Sequence, residues 1–329
     1  MRELPEGLDE SELVASLAGG WGLDVSSQRY APIGFGSYHW VVEADGTRYF
    51  VTVDDLDQKS FLGATRGGAF AGLRSALDTA FELLQRHGLE FVVAPLPARN
   101  GEKVRRINER YSVAVFPFVR GTSGIFGERG TPQRRAELVR MLVRLHQVEP
   151  SAVPSARFVS RELAARSSLE SALRDVNREW IGGPFSEPAR ALLARDADSV
   201  RRRLSVFDRL GEKVDAEEAA AVIAHGEPHA VNLIRRDRRL FLVDWDTAGL
   251  APPERDLWML DSSSGRELEL YAQLSGRSLN RAALDLYRIR WNLDDIAVFM
   301  KLVRSRHVHS ADTEKAMIGL ASLLRSAVS

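Results

Sequence analysis

Two runs of aromatic and β-branched residues, Tyr38 to Val42 and Tyr49 to Val53, flank the dipeptide Asp45-Gly46. This pattern limits the fold more than any other local feature of the chain. Asp-Gly accepts the positive φ that a tight hairpin turn demands, so the two runs are expected to pair as antiparallel strands. Tyr30 to Ile33 reads as a further strand ahead of them, with Gly34-Phe35-Gly36-Ser37 between. A helix is predicted from about Gly68 to Arg86, where Phe70, Leu73, Leu77, Phe81 and Leu84 recur at helical spacing. Two more strands follow, with Asn100-Gly101 as a turn near the first and Tyr111 to Phe118 as the second.

Beyond Arg120-Gly121 the pattern changes to long helices. Pro132 to Gln147 carries Leu138, Met141, Leu142 and Leu145 on one face, and Arg161 to Leu173 and Glu187 to Leu210 are also predicted helical. Asn232 to Ile234 and Leu240 to Val243 form an expected hairpin, and Leu284 to Val303 is the clearest amphipathic stretch near the end. Gly121 to Gly130 is glycine-rich and short, as expected of a mobile loop. The order is a sheet with one helix, then helices with an embedded hairpin. It predicts an α+β chain in two lobes, residues 1–118 and 119–329, rather than strand-helix alternation.

Composition excludes several classes of function. Lys plus Arg and Asp plus Glu number 45 each, so no global field favours nucleic acid or an anionic membrane. The arginine pairs and triplet at 134–135, 201–203 and 235–236 read as solvated helix faces and loop tips. With no cysteine in 329 residues, disulfides and thiolate metal sites are ruled out. The acidic N-terminus lacks the apolar core of a signal peptide, and no apolar run approaches the roughly 20 residues of a membrane span. A cytoplasmic protein is the expectation, as monomer or homodimer.

The chemistry concentrates between Ala224 and Trp258. His225, Glu227, His229 and Asn232 stand just ahead of a hydrophobic run that closes on Asp244. Carboxylate, carboxamide and imidazole groups beside a buried strand suit phosphoryl transfer, where oxygen ligands hold a divalent metal and a carboxylate orients the attacking hydroxyl. Asp244 supports this, because a carboxylate closing an apolar strand is costly without compensation. His225 and His229, four apart, could suggest zinc, but Pro228 opposes a helix there and no third nitrogen ligand is evident.

These residues resemble the aminoglycoside phosphotransferase family, within the protein-kinase-like superfamily that includes choline and homoserine kinases. The segment 225–232 (HGEPHAVN) is similar to its catalytic loop, usually H-G-D-x-H-x-x-N. Val243-Asp244-Trp245-Asp246 resembles its metal-binding motif, and 252–257 (PPERDL) its P-x-x-x-D-L segment. The resemblance implies a two-lobed kinase-like fold and an ATP- or GTP-dependent O-phosphotransferase acting on a small hydroxylated, amine-bearing acceptor, with antibiotic resistance as one setting. It further implies Mg²⁺ on Asn232 and Asp244, Glu227 as the hydroxyl-orienting base, and His225 in the catalytic loop, there as a scaffold more than a proton carrier. Gly34, Phe35, Gly36 and Ser37 would cover the nucleotide's phosphates, and Phe116 and Phe118 would border its adenine. His229 is balanced between scaffold and acceptor contact, and Asp246 between support and acceptor contact. Glu254, Trp291, Asp294 and Asp295 are further acceptor-site candidates, against the plainer readings of a solvated helix face and a buried tryptophan.

Two departures stand out. Glu227 occupies the place of the family's aspartate, which moves the carboxylate by about 1.5 Å on an unchanged backbone. Thr52 stands where the family's strand carries a phosphate-pairing lysine, and Lys59, Arg66 and His39 are the candidates to replace it. Glu82 and Asp78 are the acids of the 68–86 helix that such a lysine could pair with. Both departures motivate a rival reading, a binding module that keeps the fold and has lost catalysis. Transfer of a nucleotidyl group is a third.

Overall fold

The computed structural model describes residues 1–214 and 221–326. In chain order its elements are α1 (Glu10–Trp21), β1 (Val25–Tyr30), β2 (Tyr38–Ala44), β3 (Thr47–Asp55), α2 (Arg66–Gln85), β4 (Arg105–Arg106) and β5 (Tyr111–Pro117). Then come β6 (Thr122–Ser123), α3 (Pro132–His146), α4 (Arg166–Arg174), α5 (Ser186–Val214), β7 (Val222–Ala224), β8 (Leu233–Arg236) and β9 (Arg239–Leu242). The chain ends with β10 (Gly249–Ala251), α6 (Glu254–Leu257), α7 (Arg266–Ser275), α8 (Arg281–Arg304) and α9 (Ala311–Arg325). This is the expected mixture of a small antiparallel sheet and a mainly helical remainder.

Two compact units emerge from the contacts. Among the described residues, one comprises Met1, 3–159 and 221–280, the other Arg2, 160–214 and 281–326. The boundary expected at residue 118 falls inside the first unit.

The first unit is built on a five-stranded sheet ordered β1-β2-β3-β5-β4. Its central hairpin turns where the Asp-Gly signal places it, with Asp45 at φ 51° and Gly46 at φ 71°. One face of the sheet buries Trp40, Val42, Val51, Val53, Val113 and Val115 against Leu13 and Leu17 of α1. The other packs Ala114 against Leu73 and Leu77 of α2. Two small sheets, β10-β7 and β6-β8-β9, complete the strands of this unit.

Three expectations need correction, and one helix had not been predicted. α1 went unread, although Asp9 caps it by accepting from Ser11 N and Gly22 closes it at φ 74°. The first strand is Val25–Tyr30 rather than Tyr30 to Ile33, because Pro32 has no N–H to donate to a ladder. The strand expected near Asn100-Gly101 shrinks to the two residues of β4. The start of the 121–130 loop is packed, since β6 pairs with β8 and a Cβ on Gly121 would meet the carbonyl oxygen of Arg235 at 2.5 Å.

The second unit consists of α4, α5, α8 and α9 around its own core. Leu193, Val200, Leu293, Ile296 and Leu320 are fully buried there, with Trp291 packed alongside.

Candidate active site

Asp256, in the short helix α6, organises the catalytic-loop segment. Its side chain is fully buried, and its two oxygens accept from the backbone N–H groups of His225 (2.8 Å) and Gly226. His146 Nε2 meets the same carboxylate at 3.1 Å, and His146 Nδ1 contacts the Tyr271 hydroxyl at 2.8 Å. Burial alone would raise the pKa of Asp256, but the His146 hydrogen bond and, with it, the nearby Arg255 guanidinium hold it below the ordinary aspartate value. Gly226 is required between them. Its φ is 103°, and a Cβ would lie 2.4 Å from the Arg255 guanidinium.

His225 holds the loop as an uncharged imidazole. Its Nε2 donates to Val243 O (2.9 Å), its Nδ1 accepts from Glu227 N (3.2 Å), and its ring meets the edge of Trp245. Both nitrogens are therefore engaged in one neutral tautomer, and burial lowers the pKa to about 4. The zinc pair is excluded by the same contacts, and no cluster of three or more His, Cys, Asp or Glu fit for a metal occurs among the described residues.

Asn232 is buried, and its Nδ2 donates to Glu227 O at 3.0 Å. Val243 N donates to Asn232 O at 3.0 Å, which sets Asn232 beside the residue preceding Asp244. The Oδ1 of Asn232 accepts no hydrogen bond from a described residue. Asp244 follows β9 in the left-handed region at φ 68°, a conformation that costs energy for any residue except glycine and is best tolerated by Asn and Asp. Its side chain is open to water yet ringed by protein, the geometry of a recess. Burial first, then Asp246, Glu227 and Asp54, push its pKa well above the ordinary value, against the opposing charge of Lys59. No described residue donates a hydrogen bond to it. An oxygen-rich, donor-free and electronegative recess of this kind fits a divalent cation.

Lys59 comes from the loop after β3. Its ammonium is buried and contacts Asp246 Oδ2 (2.6 Å), Asp54 Oδ1 (2.9 Å) and Ser37 Oγ (2.9 Å), while Ser37 donates to Asp54 at 2.7 Å. One side chain thus ties the glycine loop, the end of β3 and the motif after β9. Burial lowers the pKa of Lys59, but Asp246 and Asp54 outweigh it and leave it raised. Neither helix acid serves it. Glu82 accepts from Ser155 Oγ and lies near Arg86, and Asp78 lies 3.7 Å from Lys103. Thr52 Oγ1 shares a 3.3 Å hydrogen bond with His39 Nδ1 on the paired strand.

The other expected site residues divide. Gly34 and Gly36, at φ 70° and 94°, shape the loop that carries Phe35 and Ser37. Phe116 lies on β5 opposite Phe50, and Phe118 lies just beyond it under the Arg48 guanidinium. Glu227 is partly exposed, with Oε2 4.0 Å from His229 Nε2. Burial lowers the pKa of His229, its Nδ1 has no partner, and the ring of Phe126 stands at its edge. Glu254 is buried and accepts from Asn280 N at 2.7 Å, so it serves the fold instead of facing an acceptor. Trp291, Asp294 and Asp295 lie on α8 of the second unit. There Trp291 packs against the core, and Asp294, raised in pKa by burial, pairs with Arg290.

The sequence itself carries a signal for Asp54. Asp54 and Asp55 close an apolar strand, and two carboxylates at such a place need cations. Asp55 takes Arg110 at 2.8 Å and Asp54 takes Lys59.

A model of the phosphotransferase enzyme family matches residues 30–290, and the chain belongs to that family. It is an enzyme of the small-molecule kinase class. Protein StrN of Streptomyces griseus is 26% identical over 245 residues, covering 70% of this chain and 71% of that protein. In fold the chain is similar to spectinomycin phosphotransferase APH(9)-Ia, solved with ADP and spectinomycin, at a TM-score of 0.73 and 16% identity over 97% of this chain and 98% of that one. It is also similar to an ethanolamine kinase of Plasmodium vivax, at a TM-score of 0.56 and 10% identity over 98% and 95% of the two chains. Among the described residues no helix is long and apolar enough to cross a membrane.

Proposed function

We propose that this enzyme moves the terminal phosphoryl group of ATP or GTP to a hydroxyl of a small amine-bearing molecule, with Mg²⁺ held by Asp244 and Asn232. The observation that carries this reading is the donor-free carboxylate of Asp244, open to water and set among Asp246, Glu227 and Asp54. Such a group is disfavoured as an anion until a cation joins it. Two protein oxygens suit magnesium, which commonly takes one or two protein ligands and fills its remaining positions with water and substrate phosphate. When bound, the ion supplies positive charge where the transferring group is most negative.

The chain's own residues supply the remainder. Glu227 reaches solvent beside this recess and accepts or orients the proton of the acceptor hydroxyl. His229, neutral and carrying an unpartnered nitrogen, stands on the acceptor side of Glu227 with Phe126. Backbone N–H groups of Gly34 to Ser37 cover the phosphates, and Phe116 and Phe118 border the base. Asp256 and His225 hold the loop so that Glu227 and Asn232 keep their spacing. The acceptor class draws support from the similar folds solved with spectinomycin or described as an ethanolamine kinase, since both compounds are hydroxylated amines.

Differential scanning with Mg²⁺ and nucleotide tests this. ATP or GTP with Mg²⁺ should raise the melting temperature, by an amount equivalent to about 2.7 kcal/mol at a hundredfold excess over Kd. No shift with millimolar concentrations of either refutes the reading. The rival, a binding module, is favoured by Glu227 and Thr52. It predicts the shift without phosphoryl transfer to any member of a panel of hydroxylated amines.

A further inference from the structure

A nucleoside triphosphate brings several negative charges into a site already rich in them. Asp54, Asp244, Asp246 and Glu227 all act on one another or on Lys59, and the structure identifies which cation can meet the added charge. Arg66 is exposed and committed to Asp57 through two 2.7 Å hydrogen bonds. His39 is held neutral by burial, which lowers its pKa to about 3. The Arg255 guanidinium packs under Gly226 and donates to Thr247 O at 2.9 Å. Lys59 remains. It is the one lysine buried among the described residues, and it bonds directly to Ser37 of the glycine loop.

Its two carboxylate partners are not equivalent. The side chain of Asp54 is 3% exposed, so it must keep a cation, whereas that of Asp246 is 16% exposed and can turn to water or metal. Lys59 also has the reach to turn, because its four-carbon stem carries three rotatable donors. We propose that Lys59, delivered from the loop after β3 instead of from the strand itself, is the cation that binds the nucleotide's phosphate oxygens, keeping Asp54 as its anchor and releasing Asp246. Thr52 needs no charge in this arrangement, and its hydroxyl serves His39.

The inference rests on the nucleotide reading above, and the test separates the two. Mg²⁺ with ATP and Mg²⁺ with adenosine are titrated calorimetrically into wild type, Lys59→Met and the double variant Lys59→Met/Asp54→Asn. The double variant removes both charges of the buried pair, so it guards against misfolding caused by a stranded Asp54. Loss of a charge-assisted hydrogen bond to phosphate predicts ATP affinity lower by about 10- to 100-fold in both variants. Adenosine, which has no phosphate, should bind within about twofold of wild type. Equal weakening of ATP and adenosine makes Lys59 merely structural and overturns the proposal, as does unchanged ATP affinity in the double variant. If wild type itself binds neither ATP nor GTP, the nucleotide reading falls and takes Lys59's role with it.

Discussion

Replacing Asp256 with Asn keeps the shape of the side chain and removes its charge. The carboxylate now satisfies His225 N, Gly226 N and His146 Nε2. An amide offers one acceptor oxygen, so its NH₂ group must face one of two backbone N–H donors. A hydrogen bond to a charged group contributes about 1.5–3 kcal/mol, and a stranded buried donor costs about 1–3 kcal/mol more. The expected loss is about 3–5 kcal/mol, as for breaking a buried ion pair. Urea denaturation of wild type and Asp256→Asn at pH 7 measures it. The pH dependence supplies a second check. The pKa of Asp256 is held low in the folded protein, so its contribution is complete above the unfolded value and is lost as pH falls through the folded one. The gap between the two proteins should therefore narrow in acid. A gap below about 1 kcal/mol at neutral pH, or one that does not narrow, would refute the assignment of Asp256 as the loop's anchor.

Gly226→Ala should destabilise by about 2–5 kcal/mol, from a strained φ together with overlap on Arg255, and chemical denaturation will read it. Asp244→Asn should raise the melting temperature of the metal-free protein at pH 7. The raised pKa of Asp244 means its ionisation opposes folding there, and the gain should vanish in acid, where the wild-type carboxyl is protonated in both states. The same variant should lose the stabilisation by Mg²⁺ and nucleotide, and melts in EDTA and in magnesium measure both effects.

Most of the scaffold was legible because its signals are local. Asp45-Gly46 specified a turn through its backbone requirement, and the apolar spacing along α2, α3 and α8 specified helices. The motif around 225–232 and 243–246 was legible as a family resemblance, and the structure brings Asn232 and the segment leading into Asp244 together through a backbone hydrogen bond. The acidic face of α8 shows the limit of such local signals. Asp294 and its i−4 partner Arg290 form a pair within their own helix, and Trp291, partly buried, packs against a core. Spacing along a helix identifies which residues share a face, but not whether that face meets water, a ligand or another helix. Glu254 shows the same limit, since only the packed chain reveals Asn280 N waiting for its carboxylate.

From the residues alone came the class of fold, the positions of the turns and the short stretch that holds the chemistry, because steric preference and hydrophobic period act between near neighbours. The choice among Lys59, Arg66 and His39 could not be made there. Each is a basic side chain close to the same strand, and their difference is one of burial and partners. Lys59 is enclosed with carboxylates 187 and five positions along the chain, Arg66 is spent on Asp57 at the surface, and His39 is too deeply buried to carry a positive charge. Electrostatic energy depends on distance and solvent access through space, and folding alone sets those.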